Sequence, residues 1–366
     1  MNAQIGEAEI SMKKKTQVGI IGMGAIGAIH AEAYLANNTE AELVALCDVN
    51  ETRLRSLGEK HQIKQLFTDY RLLLKYGVDA VSICVGNAFH CKTAVAALKS
   101  GKNVLLEKPM AMNAREAGQI VAAACRSRKI LQMGMVKRQY PDVQLVHEYV
   151  REGRFGNIYH INILNRRRRG IPGLGGWFTT KSMSGGGSLI DLGVHDLDAA
   201  MYMSGLWKPT SVNAATYANF GQPMKDYHYV SMWAGPPNRQ GVFNVEDSAT
   251  GFVRFDGNAT LKFEITWAVN AEDETCIDIL GDKGGARVFD GKPLRIFTEH
   301  GKRIVDIHPH LPPVANVFYR QAATFLAACR GKCPPLASGE EGGTLMKLLD
   351  AIYESARSKV EVRIPA

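Results

Sequence analysis

The sequence predicts two domains: a doubly wound α/β domain built on a parallel sheet, then an α+β domain with a large, open, mostly antiparallel sheet. A length of 366 residues fits two domains. Up to about residue 138, short apolar runs alternate with helical stretches, as in buried parallel strands joined by helices. Beyond that point apolar and polar residues alternate between Gly- and Asp-rich turns, which is typical of strands with one buried face.

The first domain is expected to span residues 16–138. Its predicted strands cover residues 17–21, 43–47, 80–85, 103–106 and 130–133, and helices are predicted near residues 25–37, 51–61, 69–76, 90–100 and 114–128. Right-handed crossovers between such strands produce a parallel sheet with helices on both faces.

The second domain is expected to span residues 139–366. Strands are predicted at residues 158–164, 211–217, 249–255, 259–267, 276–280, 286–289 and 294–297, separated by turn sequences such as Asp-Gly. Helices at residues 314–329 and 340–355 close the chain, and we expect them to pack on one face of this sheet.

Composition limits the location and partners of the protein. Residues 1–15 are polar and predict a flexible leader without a secretory signal pattern. No stretch approaches the ~20 apolar residues of a membrane helix. Seven scattered cysteines indicate reduced thiols, as in the cytoplasm, and no metal site is expected. The net charge of +8 favours anionic ligands but is too diffuse to indicate a nucleic-acid partner.

A glycine-rich motif follows the first predicted strand and opens a helix. Gly22, Gly24 and Gly27 have the spacing G-x-G-x-x-G, with Ala25 and Ile26 at the predicted helix start. The glycines allow a tight turn, close approach of a pyrophosphate and packing of helix on strand. The helix N-terminus presents free amides to the phosphates.

An acidic residue follows at the expected distance from the motif. Asp48 ends the second predicted strand, where a carboxylate can bind the adenosine ribose hydroxyls. It would repel a 2′-phosphate, which favours NAD over NADP, and nearby Arg53 is the residue that weakens this preference.

Glu107, Lys108 and Pro109 follow the strand at residues 103–106. This places Lys108 at the carboxyl end of a parallel strand, where open α/β sheets bind ligands. A lysine desolvated there beside a cationic nicotinamide can exchange a proton near neutral pH. The alternative is an ordinary surface lysine, and the sequence leaves open whether the Lys108–Pro109 bond is cis.

A second candidate site follows Gly185, Gly186 and Gly187. Asp191 and His195 lie four residues apart and would share one helical face. Together they can hold a hydroxyl and take its proton while hydride leaves the same carbon. The alternatives are a helix salt bridge and half of a metal site, although no third metal ligand is evident.

These motifs, in this order and spacing, resemble the Gfo/Idh/MocA family, the group of glucose–fructose oxidoreductase, inositol dehydrogenase and rhizopine catabolism proteins. The resemblance covers nearly everything after residue 16, with one departure at Val85-Gly86, where many members carry Thr-Pro. It implies an N-terminal Rossmann domain, a C-terminal α+β domain, a sugar, inositol or related polyol substrate, and a homodimer or homotetramer.

The resemblance also implies roles for individual residues. Lys108 and His195 become the catalytic pair, and Asp191 becomes the substrate ligand that orients the hydroxyl and the imidazole. The residues implied in cofactor binding, beyond the glycine motif and Asp48, are Asn87, His90, Glu107 and Lys108.

Four consecutive arginines, residues 166–169, follow the first strand of the second domain. They and Trp177 precede the catalytic segment, so this loop can overhang the substrate, with Trp177 stacking on a sugar ring and Arg168 contacting hydroxyls or a carboxylate. The alternative is a structural loop at a subunit contact.

The sequence thus predicts an NAD(P)-dependent dehydrogenase acting on a secondary hydroxyl. One alternative is a redox-assisted glycosidase, in which NAD transiently oxidises the sugar and is regenerated. Another is a non-catalytic dinucleotide-binding protein, which the presence of Lys108, Asp191 and His195 disfavours.

Overall fold

A computed structural model describes residues 14–229, 232–289, 292–314 and 316–365, so all but Lys14 and Lys15 of the predicted leader lies outside the described residues. The first sheet has six parallel strands in the order β3-β2-β1-β4-β5-β6. These strands are β1 (Thr16–Ile21), β2 (Ala41–Cys47), β3 (Gln65–Phe67), β4 (Ala80–Ile83), β5 (Asn103–Leu106) and β6 (Leu131–Met133). Strand β3 was not predicted, because its three residues are too few to show a pattern.

Helices cover both faces of this sheet, as predicted: α1 (Ala25–Ala36), α2 (Glu51–His61), α3 (Tyr70–Lys75), α4 (His90–Lys99) and α5 (Ala114–Ser127). Local capping explains several of their starts. The side chains of Asn50, Asp69 and Asn113 accept hydrogen bonds from backbone amides in the first turns of α2, α3 and α5.

The second sheet has nine strands in the order β14-β13-β12-β11-β7-β10-β9-β8-β15, of which only the β7–β10 pair is parallel among the described residues. These strands are β7 (Ile158–Arg166), β8 (Pro209–Tyr217), β9 (Ser248–Phe255), β10 (Thr260–Thr266), β11 (Glu274–Gly281), β12 (Gly285–Phe289), β13 (Lys292–His300), β14 (Arg303–Ile307) and β15 (Val362–Arg363). The mostly antiparallel open sheet is therefore confirmed, with β14 and β15 as strands that the sequence did not predict.

Five further α-helices of the described residues lie in the rest of the chain: α6 (Pro141–Arg151), α7 (Lys181–Ser184), α8 (Val194–Ser204), α9 (Val317–Cys329) and α10 (Gly339–Ser358). The expected packing of both C-terminal helices on the second sheet is half wrong. Helix α10 packs on β8, but α9 packs on α1 of the first domain. Its Phe325 and Leu326 are fully buried in one cluster with Val18 and Tyr34, because this apolar face completes the first domain's core.

A buried arginine joins the two units where the chain passes between them. Arg138 donates to both carboxylate oxygens of Asp198 on α8, at 2.9 and 2.7 Å, and to Glu341 on α10 at 2.8 Å. Its guanidinium also lies over the rings of Tyr202 and Trp207. Since both carboxylates and both rings belong to the second unit, this contact fixes how the linker enters it. No helix of the described residues is long and apolar enough to span a membrane.

Candidate active site

The glycine motif forms a tight loop between β1 and α1. Gly22 has a φ of 93°, and a Cβ on it would lie 2.6 Å from the Cys84 carbonyl oxygen. A Cβ on Gly27 would collide with the Gly22 carbonyl. By contrast, a Cβ on Gly24 would meet nothing within 4 Å, so this glycine faces open space at the N-terminus of α1. This opening fits the pyrophosphate of a dinucleotide.

Asp48 closes the same loop from the end of β2. Its Oδ2 accepts a hydrogen bond from the Met23 amide at 2.6 Å, and its Oδ1 accepts from the Asn50 amide and Arg53 Nη2 at 2.8 and 3.0 Å. Burial opposes ionisation, but these hydrogen bonds outweigh it and lower the pKa of Asp48. The residue is therefore a carboxylate beside the glycine loop, the group that a ribose diol requires.

Three sequence-predicted cofactor ligands direct their side chains into the protein. Asn87 Nδ2 donates to the Ser184 carbonyl at 2.8 Å, which joins the two domains. The ring nitrogens of His90 lie 2.6 Å from the Pro109 carbonyl and 3.0 Å from the Val85 carbonyl. The side chains of Asn87 and His90 are therefore engaged with backbone carbonyls of the protein, and their contact with the cofactor stays a prediction.

Glu107 is the third predicted cofactor ligand whose side chain points into the protein. Sequence reasoning missed its main partner, His30. Glu107 Oε1 lies 3.0 Å from His30 Nε2, and Oε2 accepts from the Lys108 amide at 3.2 Å. His30 Nδ1 lies 3.1 Å from Ser82 Oγ. Burial disfavours the imidazolium, but Cys84 and Glu107 raise the pKa of His30 to about 10. A buried ion pair thus underlies the peptide that carries Lys108.

The catalytic side chains predicted from the sequence come together at the boundary of the domains. Lys108 Nζ lies 3.0 Å from Asp191 Oδ1 and 3.1 Å from the Asp191 carbonyl oxygen. The other carboxylate oxygen accepts a hydrogen bond from Trp267 Nε1 at 3.0 Å. Trp267 is fully buried just after β10 and was not predicted as a site residue. Both oxygens of Asp191 are therefore fixed in place, and the Lys108–Pro109 bond is cis.

Asp191 and His195 lie on a helix that starts irregularly. The segment Leu189–Gly193 is a π-helical turn, and α8 begins directly after it. The Nδ1 atom of His195 is buried and has no hydrogen-bond partner among the described residues. Burial, followed by the charges of Lys108, Lys137 and Arg167, holds the pKa of His195 well below its usual value. His195 is therefore a neutral imidazole with free hydrogen-bonding capacity.

A buried glutamate anchors this turn. Glu246 Oε1 accepts hydrogen bonds from the Gly187 and Leu189 amides at 2.9 and 3.0 Å and from the Tyr353 hydroxyl at 2.9 Å. A Cβ on Gly187 would collide with the Glu246 carbonyl, which explains a glycine at that position. The sequence showed the glycines but not their partner, which lies 59 residues further along the chain.

The four arginines divide between different surroundings. Arg166 pairs with Glu264 on the neighbouring strand. Arg168, the predicted substrate ligand, is exposed, and its amide donates to Asp273 Oδ1 at 2.6 Å. Arg167, rather than Arg168, contributes to lowering the pKa of His195. Trp177 is 41% exposed, and its ring centroid lies 3.8 Å from that of Phe178.

Comparison with known proteins agrees with this fold. Residues 16–135 match the model described as "Oxidoreductase family, NAD-binding Rossmann fold", and residues 143–287 match the "GFO/IDH/MocA C-terminal domain". The D-glucoside 3-dehydrogenase of Escherichia coli is 32% identical over 95% of this chain and 97% of its own length. The myo-inositol 2-dehydrogenase of Thermotoga maritima is 26% identical over 95% of this chain and 98% of its own.

A solved structure of levoglucosan dehydrogenase in complex with NADH has the same fold, with a TM-score of 0.82. The two sequences are 22% identical, and the match covers 96% of this chain and 100% of the levoglucosan dehydrogenase chain. The two matched models together cover most of the chain, and the E. coli relative aligns almost end to end. The family resemblance seen in the sequence is therefore confirmed, and the chain belongs to the Gfo/Idh/MocA family of NAD(P)-dependent oxidoreductases.

Proposed function

We propose that this protein is a dehydrogenase that transfers hydride between NAD and a secondary hydroxyl of a sugar, inositol or related polyol. One observation carries the proposal: Lys108 from one domain and Trp267 from the other hold Asp191 one helical turn from a neutral, buried His195. The named activities of the E. coli and T. maritima relatives support a sugar or polyol substrate.

The cofactor fits the residues present. Gly24 leaves space for a pyrophosphate, and the Asp48 carboxylate suits an unphosphorylated ribose, which favours NAD over NADP. Ala25 and Ile26 supply backbone amides at the start of α1. When bound, the nicotinamide supplies the hydride acceptor or donor.

The protein's own side chains bind the alcohol and accept its proton. His195 accepts the hydroxyl proton at a ring nitrogen, which its depressed pKa keeps unprotonated at neutral pH. The Lys108 ammonium donates a hydrogen bond to the developing alkoxide oxygen, which stabilises the negative charge as hydride departs. Asp191 positions Lys108 and the substrate hydroxyl, and Trp267 holds the carboxylate in place.

The test is a spectrophotometric assay of the purified protein with NAD, then NADP, against inositols, aldoses, glycosides and sugar acids. Reduced nicotinamide should appear with NAD and at least one of these compounds. Cleavage of a chromogenic glycoside without net NADH would instead indicate the redox-assisted glycosidase. Tight NAD binding without either reaction would favour a non-catalytic dinucleotide-binding protein.

We further propose a homodimer or homotetramer in the cytoplasm. All seven cysteines lie among the described residues and are free thiols, which supports a reducing compartment. The family resemblance supports the oligomer, and light scattering of the purified protein would measure the number of subunits.

A further inference from the structure

Arg167 lies beside the residues that fix Asp191. Its amide donates to the Thr266 carbonyl at 3.2 Å, just where β7 and β10 end side by side. The residue after Thr266 is Trp267, whose indole binds the Asp191 carboxylate. The backbone of Arg167 is therefore one hydrogen bond and one residue away from Trp267, which holds Asp191 in the proposed catalytic cluster of Lys108, Asp191 and His195.

The alternation of β7 indicates the direction of the Arg167 side chain. Arg166 pairs with Glu264 on one face of the sheet. Asn165, on the opposite face, is buried and donates to Asp196 Oδ2 at 2.7 Å, next to His195. Arg167 directly follows β7, and residues two apart in an extended chain share a face, so Arg167 lies on the same side as Asn165 and helix α8. Its contribution to the depressed pKa of His195 agrees with this placement.

The cations around His195 differ in how they are neutralised. Lys108 is paired with Asp191 at 3.0 Å, and Lys137 is paired with Asp196 at 2.7 Å. Arg167 is half-buried, and its side chain makes no hydrogen bond, ion pair or ring contact with any residue in the described ranges. The group of Lys108, Lys137 and Arg167 around His195 therefore contains one positive charge that forms no ion pair with a carboxylate of the described residues.

We propose that Arg167 binds a carboxylate of the substrate, and that the substrate is an acidic sugar such as a uronic acid or its glycoside. The inference rests on the proposed dehydrogenase function and names its substrate class. A planar guanidinium donates two parallel hydrogen bonds to a carboxylate, a geometry that neutral hydroxyls match less well. The carboxylate also supplies the missing negative charge, whereas a neutral polyol would leave a half-buried cation without a counterion.

The experiment compares methyl β-D-glucuronide with methyl β-D-glucoside, which have the same ring hydroxyls and differ in the carboxylate. Calorimetric titration of the protein loaded with NADH measures the dissociation constant of each, independently of turnover. The wild-type protein should bind the glucuronide at least ~10-fold more tightly. Arg167→Met should weaken glucuronide binding by ~10- to 100-fold and change glucoside binding by less than about threefold.

Matched variants separate this role from a general loss of structure. Arg167→Lys, which keeps the charge but not the fork, should retain part of the preference for glucuronide. Arg303→Met, an exposed arginine on β14, should bind both sugars as the wild-type protein does. The thermal midpoint of each variant reports whether it is folded. If Arg167→Met does not fold, Arg167→Lys serves as the test variant in its place.

Each of the following results would overturn the proposal: equal binding of the two sugars by the wild-type protein, an equal loss of both in Arg167→Met, or loss of the preference in Arg168→Met instead. Failure to bind the glucuronide at all also overturns it. Failure of the dehydrogenase function has a different signature, namely absence of reduced nicotinamide across the whole substrate panel while these binding constants are still measurable.

Discussion

Lys108 and Asp191 are joined twice, because the lysine ammonium lies within 3.1 Å of both the carboxylate and the main-chain carbonyl of the aspartate. Lys108 follows β5 of the first sheet, and Asp191 lies in the π-helical turn before α8 of the second unit. The proposed catalytic cluster of Lys108, Asp191 and His195 therefore forms only when the two units are docked.

Replacement of this lysine tests its catalytic role. We expect Lys108→Ala to lose at least ~100-fold in kcat, because general acid–base and alkoxide-stabilising groups contribute about that much or more. NAD binding, measured by fluorescence titration, should remain nearly unchanged. Lys99→Ala, at an exposed position at the end of α4, is the control. Near-normal turnover in Lys108→Ala would refute the assignment.

Trp267→Phe removes one hydrogen bond while it keeps most of the buried ring. Without the indole donor at 3.0 Å, Asp191 Oδ2 loses its fixed position, so kcat should fall by ~5- to 50-fold with little change in the dissociation constant of NAD. Steady-state kinetics measure the effect. Trp207→Phe, at a ring that lies under the Arg138 guanidinium, is the matched control, and equal losses in both variants would argue against a positioning role.

Asp48 should determine the choice between NAD and NADP. Asp48→Ser removes the carboxylate that would repel a 2′-phosphate and frees Arg53, which now lies 3.0 Å from it. We expect NAD to bind about tenfold more weakly and NADP to bind more tightly. Fluorescence titration with both cofactors measures the ratio. A variant that loses affinity for both equally would show that Asp48 supports the loop rather than selecting the cofactor.

The depressed pKa of His195 predicts the pH profile of the oxidation reaction. A histidine with its ordinary pKa near 6.5 would lose half of its base form at that pH. Because burial and three cations hold the pKa of His195 well below that value, kcat should show no acid limb centred at pH 6.5. Initial rates from pH 5.5 to 9 with saturating cofactor measure this, and a limb at 6.5 that disappears in His195→Asn would contradict it.

The His30–Glu107 pair should make stability depend on alkaline pH. The folded-state pKa of His30 is about 10, above its ordinary 6.5, so its contribution is complete below pH 6.5 and is lost as pH rises towards 10. His30→Leu leaves Glu107 buried without this partner and should cost ~3–5 kcal/mol of unfolding free energy at neutral pH. The thermal midpoints of the wild-type protein and of His30→Leu should converge between pH 7 and 10. A constant difference between the two midpoints over this range would contradict the His30–Glu107 ion pair.

The periodic parts of the fold were predictable because burial leaves a local pattern. Five of the six parallel strands and all their helices showed it, and Lys108, Asp191 and His195 stood in short motifs with chemical meaning. The short strands β3 and β15 showed none, since two or three residues cannot display a period.

The partners of the proposed catalytic residues could not be predicted for a different reason. Trp267 lies 76 residues from the aspartate that it binds, and Glu246 lies 59 residues from Gly187. Nothing in the local sequence distinguishes such a tryptophan or glutamate from others in the same sheet. Likewise the run of four arginines was visible in the sequence, but proposing Arg167 rather than Arg168 as the substrate ligand required knowing which face of β7 meets helix α8.

The position of α9 bears on how this protein can be divided by genetic engineering. The helix begins at Val317, yet its Phe325 and Leu326 fill the apolar surface of α1, near the start of the chain. A fragment truncated after residue 138 would leave that surface in water, with the cost and aggregation hazard that exposed core residues bring. The nucleotide-binding half is therefore not a portable module: transplanting it into a chimaera requires carrying the distant helix along, or designing a substitute for it.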